Sequence, residues 1–250
     1  MAKPLTMLTF APMIDSECSR LVLRHYRLDY EERDRLFGWV SLLTFLHGGY
    51  GRIPLIYGPG VARSGPSACV REYDDAQLAE RKLLPVEQPL RQQVEADFKI
   101  YNGALAADVA AFAYFHLLPQ RELMIDSFGR PVTPTERKVL PRVYGALRGL
   151  FRLLLRLNKK RIDDVELRIE ALLDWTDRRL VPGQLYLNGN RPTLADLGLM
   201  SAMAPILLPP HYQPRVPALE RMPDELRRLV ERTRNRPTGR FALRLYQELT

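Results

Sequence analysis

The residue types needed for chemistry gather in two short segments of this 250-residue chain. The first is Ala11 to Arg20, APMIDSECSR, where the hydroxyl of Ser16 and the thiol of Cys18 alternate with the acids Asp15 and Glu17. Neighbouring carboxylates raise a thiol's pKa and so argue against a reactive Cys18. Cys18 also shares one helical face with Leu21, Val22 and Tyr26, where a cysteine serves as a small buried hydrophobe. Ser16, like Asp15, is of a type that caps helices. The second segment is Gly65-Pro66-Ser67, which opens a helix running to about Tyr73. A helix N-terminus offers unbonded N–H groups and about half a positive charge, and a serine adds a donor, so this end can hold an anion. Proline is tolerated in a first turn, so the same residues also read as a plain helix start. The four histidines and two cysteines show no metal-ligand spacing, and no metal is expected.

These segments need elements to position them. The first 75 residues alternate strand and helix signals. Leu5 to Phe10 is an apolar strand run ended by Ala11-Pro12, and the helix with Cys18 follows. Leu28 to Asp34 reads as an edge strand, and Leu36 to His47 as a helix stopped by Gly48-Gly49. Ile53 to Tyr57 begins a third strand at Pro54. Gly58-Pro59-Gly60 turns it into a short fourth strand at Val61 to Arg63, before the helix from Gly65. The order is β-α-β-α-β-β-α. After Asp75 only helical patterns remain. They cover 90–118, 135–157 with 162–180 (two helices, or one bent near Asn158), 192–207, 223–233 and 237–249. Ile125 to Pro134 is read as a break. The expected organisation is a small α/β domain over 1–77 and an all-helical domain over 88–250.

Bulk properties narrow the classes. The chain is 46% hydrophobic and 26% charged, and its net charge is +8. The basic residues run from Arg20 to Arg244 interleaved with acids, which favours a solvated surface over a nucleic-acid partner. The stretch Arg148 to Arg161, RGLFRLLLRLNKKR, is basic and amphipathic. It could lie on an anionic membrane, but its leucines are expected inside a helical bundle. Two distant cysteines, no signal peptide and no apolar run of roughly 20 residues lead to an expectation of a cytoplasmic protein without a membrane span.

Three segments resemble the glutathione S-transferase superfamily. Arg52-Ile53-Pro54-Leu55-Ile56 is similar to its V-P-x-L element, where a cis proline opens the third strand. Gly65 to Tyr73 is similar to its E-S-x-x-I-x-x-Y pattern. Gly189 to Asp196, GNRPTLAD, is similar to its G-x-x-x-T-x-A-D signature. In the last, Thr193 and Asp196 stand as a capping pair, the acid three residues on reaching back to the cap's own N–H.

The resemblance implies an N-terminal thioredoxin-like βαβαββα domain, a helical C-terminal domain and a homodimer. It implies glutathione as cosubstrate, held by Ile53 and Pro54 at the cysteinyl part and by Pro66 and Ser67 at the γ-glutamyl carboxylate. Pro66 stands where the family has an acid, and Asp15 stands at the usual thiol-activating position. By resemblance the activating residue is then Ser16, or else Cys18. The first two long helices would wall a pocket for a small hydrophobic electrophile, with Phe98, Tyr101, Phe112, Tyr114, Phe115, Tyr144 and Phe151 as the candidate aromatics, although most aromatics at helical spacing are core. The expected activity is glutathione conjugation, as in detoxification. The other reading is a catalytically idle relative that binds a hydrophobic ligand or a protein partner.

Overall fold

The computed structural model describes residues 4–250. Strands β1 (Leu5–Thr9), β2 (Tyr30–Asp34), β3 (Leu55–Gly58) and β4 (Val61–Ser64) form one sheet in the order β2-β1-β3-β4. β1 and β2 are parallel, with Leu5 opposite Tyr30, and helix α1 (Ile14–His25) makes the crossover between them. β3 runs antiparallel to β1, and the Pro59-Gly60 turn folds β4 back on it. Helices α2 (Trp39–Leu46) and α3 (Pro66–Tyr73) complete the expected βαβαββα order. The Ile53–Pro54 peptide is cis.

The rest is helical: α4 (Gln88–Phe98), α5 (Ala106–Leu117), α6 (Arg121–Gly129), α7 (Pro134–Leu154), α8 (Lys159–Arg179), α9 (Leu194–Leu207), α10 (Asp224–Asn235) and α11 (Pro237–Leu249). Every residue of α9 is buried, as expected of a helix apolar on all sides. It packs against α1, α4, α5, α10 and α11, joining the sheet layer to the helices. Gly198 makes this possible: a Cβ there would stand 2.7 Å from the Phe98 ring.

The start of α9 is fixed by the expected capping pair. Asp196 is fully buried, and its carboxylate accepts from the Thr193 N–H and hydroxyl, both at 2.8 Å, and from the Leu187 N–H at 2.7 Å. Burial pushes this carboxyl up to about 6, against the pull of those bonds.

Three sequence readings are corrected and one open alternative is resolved. The expected break at 125–134 is mostly helix, because Leu123, Met124 and Phe128 of α6 turn into the core; the chain breaks only between Arg130 and Thr133. The segments 135–157 and 162–180 are two helices, separated where Arg156 takes a positive φ and the Asn158 side chain caps α8. The pattern over 90–118 is interrupted by a π-helical segment, Lys99–Leu105, which contains Gly103. Asp15 and Ser16 do not cap α1; it starts at Ile14, behind an extended Met13, and both residues lie in its first turn.

A buried charge cluster joins α1 and β2 to the segment after α9. Glu17, fully buried, bonds His211 Nε2 at 2.7 Å and Arg20 at 3.1 Å. Arg20 also reaches Glu32 at 2.6 Å and the Ala11 carbonyl at 3.1 Å. Arg215 stands 3.5 Å from Glu32 and donates to the His211 carbonyl at 2.6 Å. Burial raises the Glu17 pKa, but the His211 bond and the charges of Arg20, His211 and Arg215 outweigh it and leave the carboxyl below its usual range. At the cluster's edge Asp34 has a buried oxygen without a partner. Burial and the Glu32 charge push it up to about 7, despite Arg20 and Arg215.

Two stability predictions follow from these contacts. Thr193→Ala should cost about 1 kcal/mol, the usual worth of a cap. Asp196→Ala, which strands three donors, should cost more than twice that; chemical denaturation of both variants measures the order. For Asp34 the folded pKa lies above the unfolded one, so the fold favours the protonated form. Its contribution is intact below about pH 4 and is lost as pH rises through about 7. Asp34→Asn should therefore stabilise the protein by on the order of 1 kcal/mol at pH 8 and leave it nearly unchanged at pH 4.5. Thermal melts across pH give the comparison, and equal melting temperatures at pH 8 would contradict it.

Candidate functional site

The first turn of α1 opens onto an apolar cavity of about 360 Å³. Pro12, Met13, Ile14 and Asp15 form its sheet-side wall. The opposite wall is the small-residue stripe Ala106, Ala110 and Ala113 of α5, at helical spacing, which leaves the volume open. Phe37, Phe128 and Phe151 close one end, and the segment after α9 contributes Tyr212, Arg215 and Val216. Phe37 and Phe151 pack at 4.8 Å between ring centroids, and Tyr114 stacks on Phe151 at the same distance.

Few polar groups reach this space. Asn102, in the π-helical segment, donates to the Asp15 carboxylate at 2.9 Å and so ties α1 to the helical layer. Burial raises the Asp15 pKa, with the Asn102 bond opposing. Tyr212 donates its hydroxyl to the Pro12 carbonyl at 3.0 Å, fixing the loop before α1. The Tyr114 hydroxyl is buried and has no partner among the described residues, and burial pushes its pKa well up.

Ser16 and Cys18 are placed elsewhere. Both are fully buried, and neither lines the cavity. The Ser16 hydroxyl is hydrogen-bonded to Thr9 Oγ1 at the end of β1. Burial raises the Cys18 thiol far above its ordinary range, and Asp15 and Glu17 add to the rise against a hydrogen bond with Ser201. Cys69 is likewise buried and pushed up to about 12. The side chain of Cys18 is packed in the core.

The candidate glutathione residues do come together. The Pro54 carbonyl accepts from the Gly65 N–H at 2.9 Å, which brings the start of β3 against the start of α3. Ile53 is half-buried and forms no backbone hydrogen bond among the described residues. Gly65 takes a φ of +79° as α3 begins, Pro66 is buried in its first turn, and Ser67 is half-buried with its N–H outside the helical ladder. Ile53 and Ser67 are not among the residues lining the cavity.

Of the aromatics expected in a pocket wall, Tyr114 and Phe151 line the cavity, whereas Tyr101, Phe112 and Tyr144 are core. Phe37, Phe128, Tyr212 and Arg215 were not anticipated. The alanine spacing at 106, 110 and 113 is a further sequence signal for the space, one that a close-packed helix interface also uses.

No family profile matches the chain, and no curated protein matches it in sequence. Solved structures do match it in architecture. The glutathione transferase GSTFuA3 from Phanerochaete chrysosporium superposes with a TM-score of 0.63 at 16% identity, over 100% of this chain and 98% of that one. The β-etherase LigF from Sphingobium sp. gives 0.57 at 13%, over 97% and 99%. A glutathione transferase from Pseudomonas putida, with one glutathione disulfide bound per subunit, gives 0.54 at 15%, over 97% and 91%. With the four-stranded sheet, the cis Ile53–Pro54 bond and the buried α9 all in place, the chain has the fold of the glutathione S-transferases.

Proposed function

We propose that the protein binds glutathione and joins its sulfur to a hydrophobic electrophile held in the apolar cavity. The observation that carries this reading is the position of the α1 first turn, which forms a wall of that cavity. Beside it in the sheet layer, the juxtaposed Ile53 backbone and Ser67 helix end offer donors and an acceptor to a peptide-like ligand. The glutathione-disulfide complex of the similarly folded Pseudomonas putida transferase supports the same choice of ligand. The homodimer expected by resemblance belongs to this reading and is measured by light scattering.

In the proposed reaction the glutathione thiolate attacks an electrophilic carbon. A sulfur–carbon bond forms, and the displaced electron pair leaves with the leaving group or moves into the conjugated acceptor, which is then protonated. The thiolate needs a donor, and the hydroxyl of Ser16 is engaged with Thr9. We assign the task to the α1 N-terminus, whose first-turn N–H groups lie outside the helical ladder. Tyr114 supplies the polar anchor for the second substrate, because an unpartnered buried hydroxyl gains a hydrogen bond when an acceptor arrives.

Calorimetric titration with glutathione tests the reading. Binding with Kd between micromolar and low millimolar is expected; no heat up to about 10 mM, a limit near −2.7 kcal/mol, would leave the cavity without its proposed cosubstrate. Ser67→Ala should weaken glutathione binding more than it lowers turnover at saturation.

Ser16→Ala should lower stability by about 1 kcal/mol, through the lost Thr9 bond, and change turnover less than threefold or so. A loss of about 100-fold in turnover with binding intact would return the thiol-activating role to Ser16. Tyr114→Phe should raise the KM for an acceptor-bearing electrophile roughly five- to tenfold without loss of stability, since removing an unsatisfied hydroxyl costs the fold nothing. An unchanged KM would remove Tyr114 from the site.

A further inference from the structure

Helix α7 is apolar on more of its circumference than the core uses. Leu140, Tyr144, Leu147 and Phe151 face inward. Beside them a second stripe points to solvent: Val139, Val143, Ala146, Leu150, Leu153 and Leu154. Their spacing of i, i+4, i+7, i+11, i+14 and i+15 keeps them within roughly 100° of helix surface, along about 22 Å. The large side chains in this stripe are between 38% (Leu150) and 74% (Leu153) exposed. This reverses the expectation that the leucines of 148–161 would be covered by a bundle; Leu147, Phe151 and Leu157 are, and Leu150, Leu153 and Leu154 are not.

The flank of this stripe is basic. Between Arg137 and Arg161 there are nine Lys or Arg and no Asp or Glu. These nine account for the whole net charge of +8, the remainder of the chain carrying one acid in excess. None of them forms an ion pair among the described residues. Arg142 and Arg152 are exposed on α7, Arg156 is exposed in the turn that follows it, and Lys159 and Lys160 stand in the first turn of α8. Glu225 shares a surface hollow with Arg148 and Arg152 but lies against His116, at 3.9 Å. An aliphatic stripe bordered by unpaired cations has the pattern of a helix that lies in the plane of an anionic lipid surface.

We infer that α7 is a membrane-docking surface whose partner is a bilayer rich in anionic phospholipid. The stripe would enter the headgroup boundary, and the cations would pair with lipid phosphates. A second copy of the chain fits this face poorly, because an isologous contact would set two uncompensated basic borders against each other. A protein partner would be expected to find aromatic anchors, and the stripe has none. The surface adjoins the cavity, since Leu154 belongs to the stripe and also lines that space. No helix of the described residues is long and apolar enough to cross a membrane, so this is attachment and not insertion.

Co-sedimentation with vesicles tests the inference and does not depend on glutathione. The full chain should pellet with phosphatidylcholine vesicles containing roughly 30% phosphatidylglycerol and stay in solution with phosphatidylcholine alone. Raising salt from about 50 to 300 mM should release most of it. Arg152→Gln and Lys160→Gln should each weaken binding about fivefold. Leu153→Glu should weaken it at least tenfold or so while circular dichroism and melting temperature stay unchanged. Equal binding to both vesicle types, binding to neither, or full binding by Leu153→Glu would overturn the proposal. Binding to polyglutamate with none to anionic vesicles would also overturn it and assign the face to an acidic protein.

Discussion

The geometry of the site depends on the buried charge cluster around Glu17 and Arg20. Both side chains are buried and held by charged partners, Glu17 by Arg20 and His211, and Arg20 by Glu17 and Glu32. A single buried charge without its partner costs several kcal/mol, so the cluster forms completely or disfavours the fold. Its members come from α1, β2 and the segment after α9, and Arg20 also holds the Ala11 carbonyl. That places the loop 11–13 and the first turn of α1 against the helical layer. The Tyr212 bond to Pro12 and the Asn102 bond to Asp15 then fix what that turn presents to the cavity. The cluster's value is positional: well-packed apolar residues often match a buried ion pair in stability, but they would not orient α1 through directed bonds.

A cavity lined this way has sharp chemical preferences. Its walls are alanine, phenylalanine, leucine and proline, so water in it makes few bonds and an apolar guest displaces it readily. In such a low dielectric each polar group counts for more than on the surface. Asp15 shows the consequence: burial favours its neutral form.

What was legible in the sequence was local. Thr193 and Asp196 meet three residues apart, and Pro54 opens its strand beside a Gly-Pro-Gly turn; both relations are carried within a few positions. The chain order of strands and helices in the first 75 residues followed from local strand, helix and turn signals. The cavity was not legible, because its lining comes from the α1 loop, Phe37, α5, α6, α7 and the segment after α9. Only their packing decides that alanines at 106, 110 and 113 leave room instead of closing it. The α6 reading failed for a related reason: Gly129, Arg130 and Pro131 look like a break, but Leu123, Met124 and Phe128 gain more by turning into the core. The placing of Ser16 turned on a shift of about half a helical turn. With Met13 as the extended residue before α1, Ser16 faces Thr9 and Asp15 faces the cavity.

Charge tells the same story at the scale of the molecule. Interleaved acids and bases over 250 residues suggest an even surface. The ion pairs undo that impression. Arg232 and Arg236 are neutralised by Glu166, Glu170, Asp174 and Asp177 across α8 and the C-terminal helices, as Arg168 and Arg179 are by Asp108 and Asp97. The longest run of cations with no acid among them, from Arg137 to Arg161, forms no ion pair among the described residues. A field of one sign persists only where such compensation fails, and there it acts beyond contact range at low ionic strength. Helix α7 thus does two jobs with two faces. Phe151 completes the cavity from inside, and Leu153, two residues on, stands in solvent beside the unpaired cations. An apolar guest that partitions into a lipid surface would be concentrated on the side of the molecule where Leu154 borders the cavity.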